Sequence, residues 1–97
     1  MYAALRQYYI IPGTADEFMR RVRDGFVPII STVPGFVAYY VLQSGNDTVI
    51  SVSIFDSQAG AEESTRQAAD WVQHNIASFI RGLPEIKTGV VRVHKTT

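Results

Sequence analysis

The sequence predicts one α+β domain whose strands and helices follow the order β-α-β-β-α-β around a single four-stranded antiparallel sheet. Three observations carry this. Residues 36–43 (FVAYYVLQ) and 48–55 (TVISVSIF) are aromatic and β-branched runs on either side of Ser44, Gly45, Asn46 and Asp47, the composition of an antiparallel hairpin. One amphipathic helical pattern precedes this hairpin and a second follows it. A further β-type run stands near each end of the chain, and 97 residues suit one domain with one core, residues 1–97.

Residues 2–11 are rich in Tyr, Ile and Leu and stop at Pro12 and Gly13, which reads as a first strand and a turn. Thr14 with Glu17 three residues on has the form of a capping box, so a helix is expected to start there. Its apolar side is Phe18, Val22, Phe26, Ile29 or Ile30, and Val33. Gly25 and Pro28 oppose that helix, at about 1 and about 3 kcal/mol in a helix interior, so a kink or break is expected near residues 26–28. Asp56 or Ser57 can cap a second helix with Ala61, Ser64 or Thr65, Ala68, Val72, Ile76 and Phe79 on its covering face. That helix should weaken near Asn75 and stop by Gly82 and Pro84, with a last strand over residues 85–95.

Two helices covering one side of the sheet leave the other side needing a lid. A half-exposed strand should alternate apolar with polar residues. The middle strands do not: Phe36, Ala38, Tyr40 and Leu42 oppose Val37, Tyr39 and Val41, and Ile50, Val52 and Ile54 oppose Val49, Ser51, Ser53 and Phe55. An open apolar face of that extent marks an interface, and a second copy of the chain is the expected cover. The phase expected for the third strand puts Ile50, Val52 and Ile54 under the helices and Ser51, Ser53 and Phe55 against the partner.

Several function classes fall away. Nine basic and nine acidic side chains give zero formal net charge, so no broad field is available for nucleic acid or an anionic membrane. Cys is absent, and with it disulfides, a thiolate nucleophile and the usual zinc sites. No Gly-rich phosphate loop, metalloprotease motif or Ser/His/Asp set is present, so no metal and no cofactor is expected. The N-terminus has Arg6 in mid-strand and no small-residue cleavage site, and no apolar run reaches the ~20 residues of a membrane span. A cytoplasmic location is the expectation.

Pro12-Gly13, Glu17-Phe18, Pro34-Gly35-Phe36, Phe55-Asp56-Ser57 and Ala69-Asp70-Trp71 together resemble the antibiotic biosynthesis monooxygenase (ABM) domain family, over residues 2 to about 94. The resemblance implies the ferredoxin-like, dimeric α+β barrel fold and an apolar cleft between helices and sheet. Enzymes of this kind oxidise aromatic polyketides without metal or flavin, or degrade haem, and other members have no established activity. In the oxygenases a Trp and an Asn from the helix region assist the substrate, and Trp71 and Asn75 are similar in type.

Trp71, His74 and Asn75 stand three and four residues apart and can share one helix side, as an aromatic wall, an acid or base, and an oxyanion donor. The plainer reading, which we prefer, packs Trp71 at the core edge and leaves His74 and Asn75 in water. Arg92 and His94 point to one strand face, where Arg92 could hold a carboxylate, phenolate or enolate with Arg6 and Tyr8. Tyr8, Tyr9, Tyr39 and Tyr40 offer aromatic surface to a planar ligand, with core and interface packing as the simpler account.

These residues support a cofactor-independent oxygenase acting on a small aromatic or enolisable substrate, with Trp71, His74, Asn75 and Arg92 as catalytic candidates. Arg6, Tyr8, Tyr39, Ser51, Ser53 and Phe55 would then bind the substrate. The alternatives are a non-catalytic ligand-binding or structural dimer, such as the sensors built on ACT regulatory domains, or a haem-degrading enzyme with a single axial His.

Overall fold

In the computed structural model, which describes residues 1–97, strands β1 (Tyr2–Tyr9), β2 (Phe36–Ser44), β3 (Thr48–Phe55) and β4 (Glu85–Val90) form one antiparallel sheet of order β2-β3-β1-β4. The helices are α1 (Ala15–Arg21), α2 (Val27–Ile30) and α3 (Gln58–Asn75). The expected α+β ferredoxin-like architecture is therefore present. No helix is long and apolar enough to cross a membrane.

The first helical segment starts where Thr14 placed it, but the capping box does not form. The Thr14 hydroxyl turns back to donate to the Ile11 carbonyl, and Glu17 pairs with Arg20 and Arg21. Gly25 and Pro28 do not break the chain's helical path. Residues Val22–Phe26 instead form a π-helical turn, in which the Val27 N–H reaches the Val22 carbonyl five residues back. The wider turn accommodates Pro28, which then falls in the first turn of α2, where its missing N–H leaves nothing unpaired. Phe18, Val22, Phe26, Ile30 and Val33 are all buried, as their spacing requires.

Ser57 caps α3, its hydroxyl accepting from the Gly60 N–H at 3.2 Å. Ala61, Ser64, Ala68 and Ile76 bury its inner face, and α3 ends at Asn75 before a 3-10 turn, Ala77–Phe79. On its outer face Arg66 pairs with Glu63.

The two faces of β3 are the reverse of the expected phase. Val49, Ser51, Ser53 and Phe55 are buried beneath the helices, while Ile50, Val52 and Ile54 face away. The registers explain it. Ser51 lies opposite Arg6, and Ser53 opposite Ala4 and Tyr39, so the helix side of the sheet carries a polar row. Phe55 is fully buried there, in edge contact with Phe36 at 5.8 Å between centroids and tight against Gly60. A bulge between Phe36 and Ala38 lets β2 bring Tyr39 and Val41 to the helix side and Tyr40 and Leu42 to the other.

The last strand is also shorter than expected. Its final partner on β1 is Tyr2, opposite Val90, after which only the Val91 N–H finds a strand-like partner, the Met1 carbonyl. Arg92 and His94 are therefore exposed beyond the sheet.

Gly60 tests the α3–β3 contact. A Cβ there would stand 2.9 Å from both the Phe55 ring and the Pro34 carbonyl oxygen. Gly60→Ala should destabilise the protein by about 1–3 kcal/mol in chemical denaturation, despite alanine's higher helix propensity.

Candidate functional site

The helices do not fill the space over the polar row. A cavity of about 20 Å³ remains between β1, β2, β3 and the helices, room for about one water-sized molecule. Its walls are mostly apolar: Phe18, Val22, Phe26, Val49, Ala68, Val72 and Ile76. Trp71 closes it from α3, stacked at a tilt on Phe26 at 5.5 Å, and Phe26 meets Tyr39 edge-on at 5.8 Å. The polar groups inside are Arg6, Tyr8, Tyr39 and Ser51.

Two grooves flank this cavity. One, of about 430 Å³, lies between α3 and the β1–β4 side, with Arg6 and Tyr8 at its inner end and Thr65, Val72, Ala77, Ile80, Pro84 and Ile86 among its walls. The other, of about 460 Å³, lies between α1 and β2 and shares Val22, Tyr39 and Val41 with the cavity. The inner cavity likewise shares Arg6, Tyr8 and Val72 with the first groove.

Arg6 dominates the electrostatics. It sits mid-strand on the central β1, opposite Ser51 on β3 and Ile86 on β4, and is 1% exposed. Nη2 donates to the Ser53 hydroxyl at 2.9 Å and Nη1 to the Thr65 hydroxyl at 3.4 Å. Both acceptors are neutral. None of the molecule's ion pairs includes Arg6, and no Asp or Glu lines the cavity or the α3-side groove. A guanidinium in this position carries an uncompensated charge, which is costly unless another group satisfies it.

The phenols do not supply that group. Burial pushes the Tyr8 and Tyr39 phenols above their ordinary value, and the nearby Arg6 charge only partly opposes this, so both are neutral donors at physiological pH. Ser51 lies close to Tyr39, but its buried hydroxyl completes no hydrogen bond. The site therefore combines one unpaired cation, two neutral phenols and one orphan hydroxyl inside apolar walls.

The nominated residues divide clearly. Arg6, Tyr8, Tyr39, Ser51 and Trp71 meet at the cavity. Ser53 supports Arg6 from behind, and Phe55 is packing under the start of α3. His74 and Asn75 do not reach the cavity: His74 Nδ1 is 2.8 Å from the Asp70 carbonyl, and the Asn75 amide donates to the Trp71 carbonyl at 2.8 Å, both at the exposed end of α3. Arg92 is on the exposed tail and cannot join Arg6. Sequence reasoning offered Thr65 as a covering-face residue and gave it no part in the site. Its position one turn from Ala61 and Ala68 on the covering face was the available signal.

The fold defines a small ferredoxin-like α+β protein with a cavity between helices and sheet. The chain belongs to the antibiotic biosynthesis monooxygenase family, whose description it matches over residues 1–74. No curated protein matches it. It is similar in fold to the NE2512 protein of unknown function from Nitrosomonas europaea, at 20% identity and TM-score 0.83 over 99% of this chain and 93% of that one. A monooxygenase from the ActVA-Orf6 gene of Streptomyces coelicolor, solved with nanaomycin D, matches at 16% identity and TM-score 0.79 over 99% and 91%. MhuD, solved as a mutant with two manganese protoporphyrin IX per active site, matches at 14% and 0.78 over the whole of both chains.

The raised phenols give a pH test. Their neutral forms are favoured in the folded state, so the stability they contribute is complete below the unfolded tyrosine value near 10 and declines as pH rises through the folded values. Tyrosinate absorbance should show late titration that moves to the ordinary range on unfolding. In the Tyr8→Phe, Tyr39→Phe double variant that late fraction should shrink to the part owed to Tyr9, whose phenol is raised by its hydrogen bond to Glu85.

Proposed function

We propose that this protein is a cofactor-independent monooxygenase acting on a small aromatic or enolisable substrate, and that it works as a homodimer closed through the outer face of the sheet. The observation that carries the chemistry is the unpaired Arg6 guanidinium inside an apolar cavity. An enolate or phenolate oxygen placed at the inner end of the α3-side groove meets Arg6 and the Tyr8 phenol, while the small cavity behind them suits dioxygen.

The reaction balances without another oxidant. The substrate anion gives an electron to dioxygen, the carbon radical and superoxide combine into a C–O bond, and the resulting peroxide loses its O–O bond to give a carbonyl and hydroxide. A phenol plus dioxygen thereby becomes a quinone plus water. The protein's part is to hold the anion, place the carbon near dioxygen and keep bulk water out. Neither His74 nor His94 lines the cavity, so no imidazole stands there to ligate haem iron, which favours the oxygenase reading over haem degradation.

The dimer reading is supported by the outer face, where Ala3, Leu5, Ala38, Tyr40, Leu42, Ile50, Val52 and Ile54 form three adjoining cross-strand rows. Tyr40 is 62% and Leu42 46% exposed in the single chain. Gln7, Glu85 and Lys87 on the β1 and β4 side give this patch a polar margin. A face of this kind is what a second copy buries, with a cytoplasmic setting as the working assumption.

Two measurements test this. Oxygen uptake should accompany quinone formation with a panel of phenolic and enolisable compounds, and Tyr8→Phe should lower kcat/KM on the order of a hundredfold with the fold intact. A panel that consumes no oxygen rejects the enzyme. Sedimentation should give a dimer that Val52→Lys converts to monomers, and a wild-type monomer at micromolar concentration rejects the assembly.

A further inference from the structure

Proton transfer raises a difficulty that the site itself resolves. Oxidation by the route above starts from a substrate anion, yet no side chain lining the cavity or the α3-side groove can take up a proton at neutral pH. No Asp, Glu, His or Lys lines either space, and the only titratable groups there are Arg6, Tyr8 and Tyr39. Arg6 carries a proton already, and the phenols are held neutral by burial. The site has donors in excess: Arg6 has five N–H groups and makes two hydrogen bonds, and Ser51 has a buried hydroxyl with no partner. A site rich in donors, carrying one unpaired cation and lacking a base is built to receive an anion, not to make one.

We infer that the ligand of this site is a compound already ionised in solution, carrying a single planar oxyanion (a carboxylate or the enolate of an acidic 1,3-dicarbonyl type) that pairs with Arg6 and Tyr8 while its apolar body lies along Val72, Ile80, Pro84 and Ile86 in the α3-side groove. The enolate case deepens the functional proposal by naming the substrate class, whereas a carboxylate at Arg6 anchors the ligand without itself reacting. Either case rests on the same cavity holding the ligand, and it is independent of whether dioxygen reacts there. Neutral analogues of equal shape leave the guanidinium uncompensated, so the site discriminates against them. The geometry fits the charge class, since a guanidinium fork presents paired parallel donors to a planar oxyanion.

Arg6 is then retained for the ligand at the expense of the empty protein. Replacing an uncompensated buried charge with an apolar side chain of similar length leaves stability unchanged or improves it. A structural arginine would behave in the opposite way.

The experiment follows thermal unfolding and calorimetric binding with three probes of similar size: benzoate, dimedone at a pH where it is ionised, and neutral benzamide, with chloride as the inorganic control. Wild type should bind benzoate or dimedone at least about tenfold more tightly than benzamide, with a saturable rise in Tm. The probe that binds tells whether the oxyanion is a carboxylate or an enolate. Arg6→Met should unfold at the same or a higher temperature without ligand and lose the anion response. Ser51→Ala, a smaller change, should keep its Tm and bind the preferred anion several-fold more weakly. The inference is overturned by benzamide binding as tightly as the anions, by chloride reproducing the whole effect, by binding that survives Arg6→Met, or by failure of Arg6→Met to fold while Ser51→Ala binds like wild type. Anion binding without oxygen uptake removes the oxygenase proposal alone, and oxygen uptake with neutral substrates only removes this inference alone.

Discussion

A single positive charge buried between helices and sheet organises this molecule. Arg6 occupies the middle of the central strand, and everything packed near it answers to it: Ser53 and Thr65 accept its protons, Ser51 stands opposite it, and the Tyr8 and Tyr39 rings flank it. Such a charge prevents the helix-side core from being purely apolar. Its neighbours there are all neutral, the Ser53 and Thr65 hydroxyls and the Tyr8 and Tyr39 phenols.

That constraint assigns the faces of the sheet. The strands offer an apolar face and a mixed face, and ordinary burial would put the apolar one beneath the helices. Here the mixed face is inside, and Ile50, Val52 and Ile54 lie outside. Beside Val49 and Phe55 of β3, the core is therefore completed by Phe18 and Phe26 from the first helical segment and by Ile76 just past α3. The outer face keeps its greasy rows for another surface, which ties the proposed dimer to the proposed pocket: both arise from the same choice of phase.

Much of this was legible in the residues. The hairpin followed from two β-rich runs around a Gly-Asn-Asp turn, and both helices from their apolar spacing and from Ser57. The side assignment of β3 was not, because hydrophobicity ranks Ile50, Val52 and Ile54 above Ser51 and Ser53, and only the long-range register with Arg6 reverses that order. The end of β4 was hidden for a related reason. Val91 and Val93 continue the strand pattern, but the β1–β4 register ends at Tyr2 opposite Val90, a pairing that hydrophobicity alone does not reveal. Of the candidate site, Arg6, Tyr8, Tyr39, Ser51 and Trp71 converge, whereas His74 and Asn75 share a helix side with Trp71 without sharing its direction into the core.

The π-helical turn at Val22–Phe26 reaches further than the proline it accommodates. It brings Gly25 directly under the indole of Trp71, so close that a methyl group there would lie 2.8 Å from the ring. One surplus residue in a helix thus sets how deeply an aromatic plug can sit. A lineage that gained or lost that residue could rescale its chamber for a bulkier or slimmer guest while every strand stayed in place.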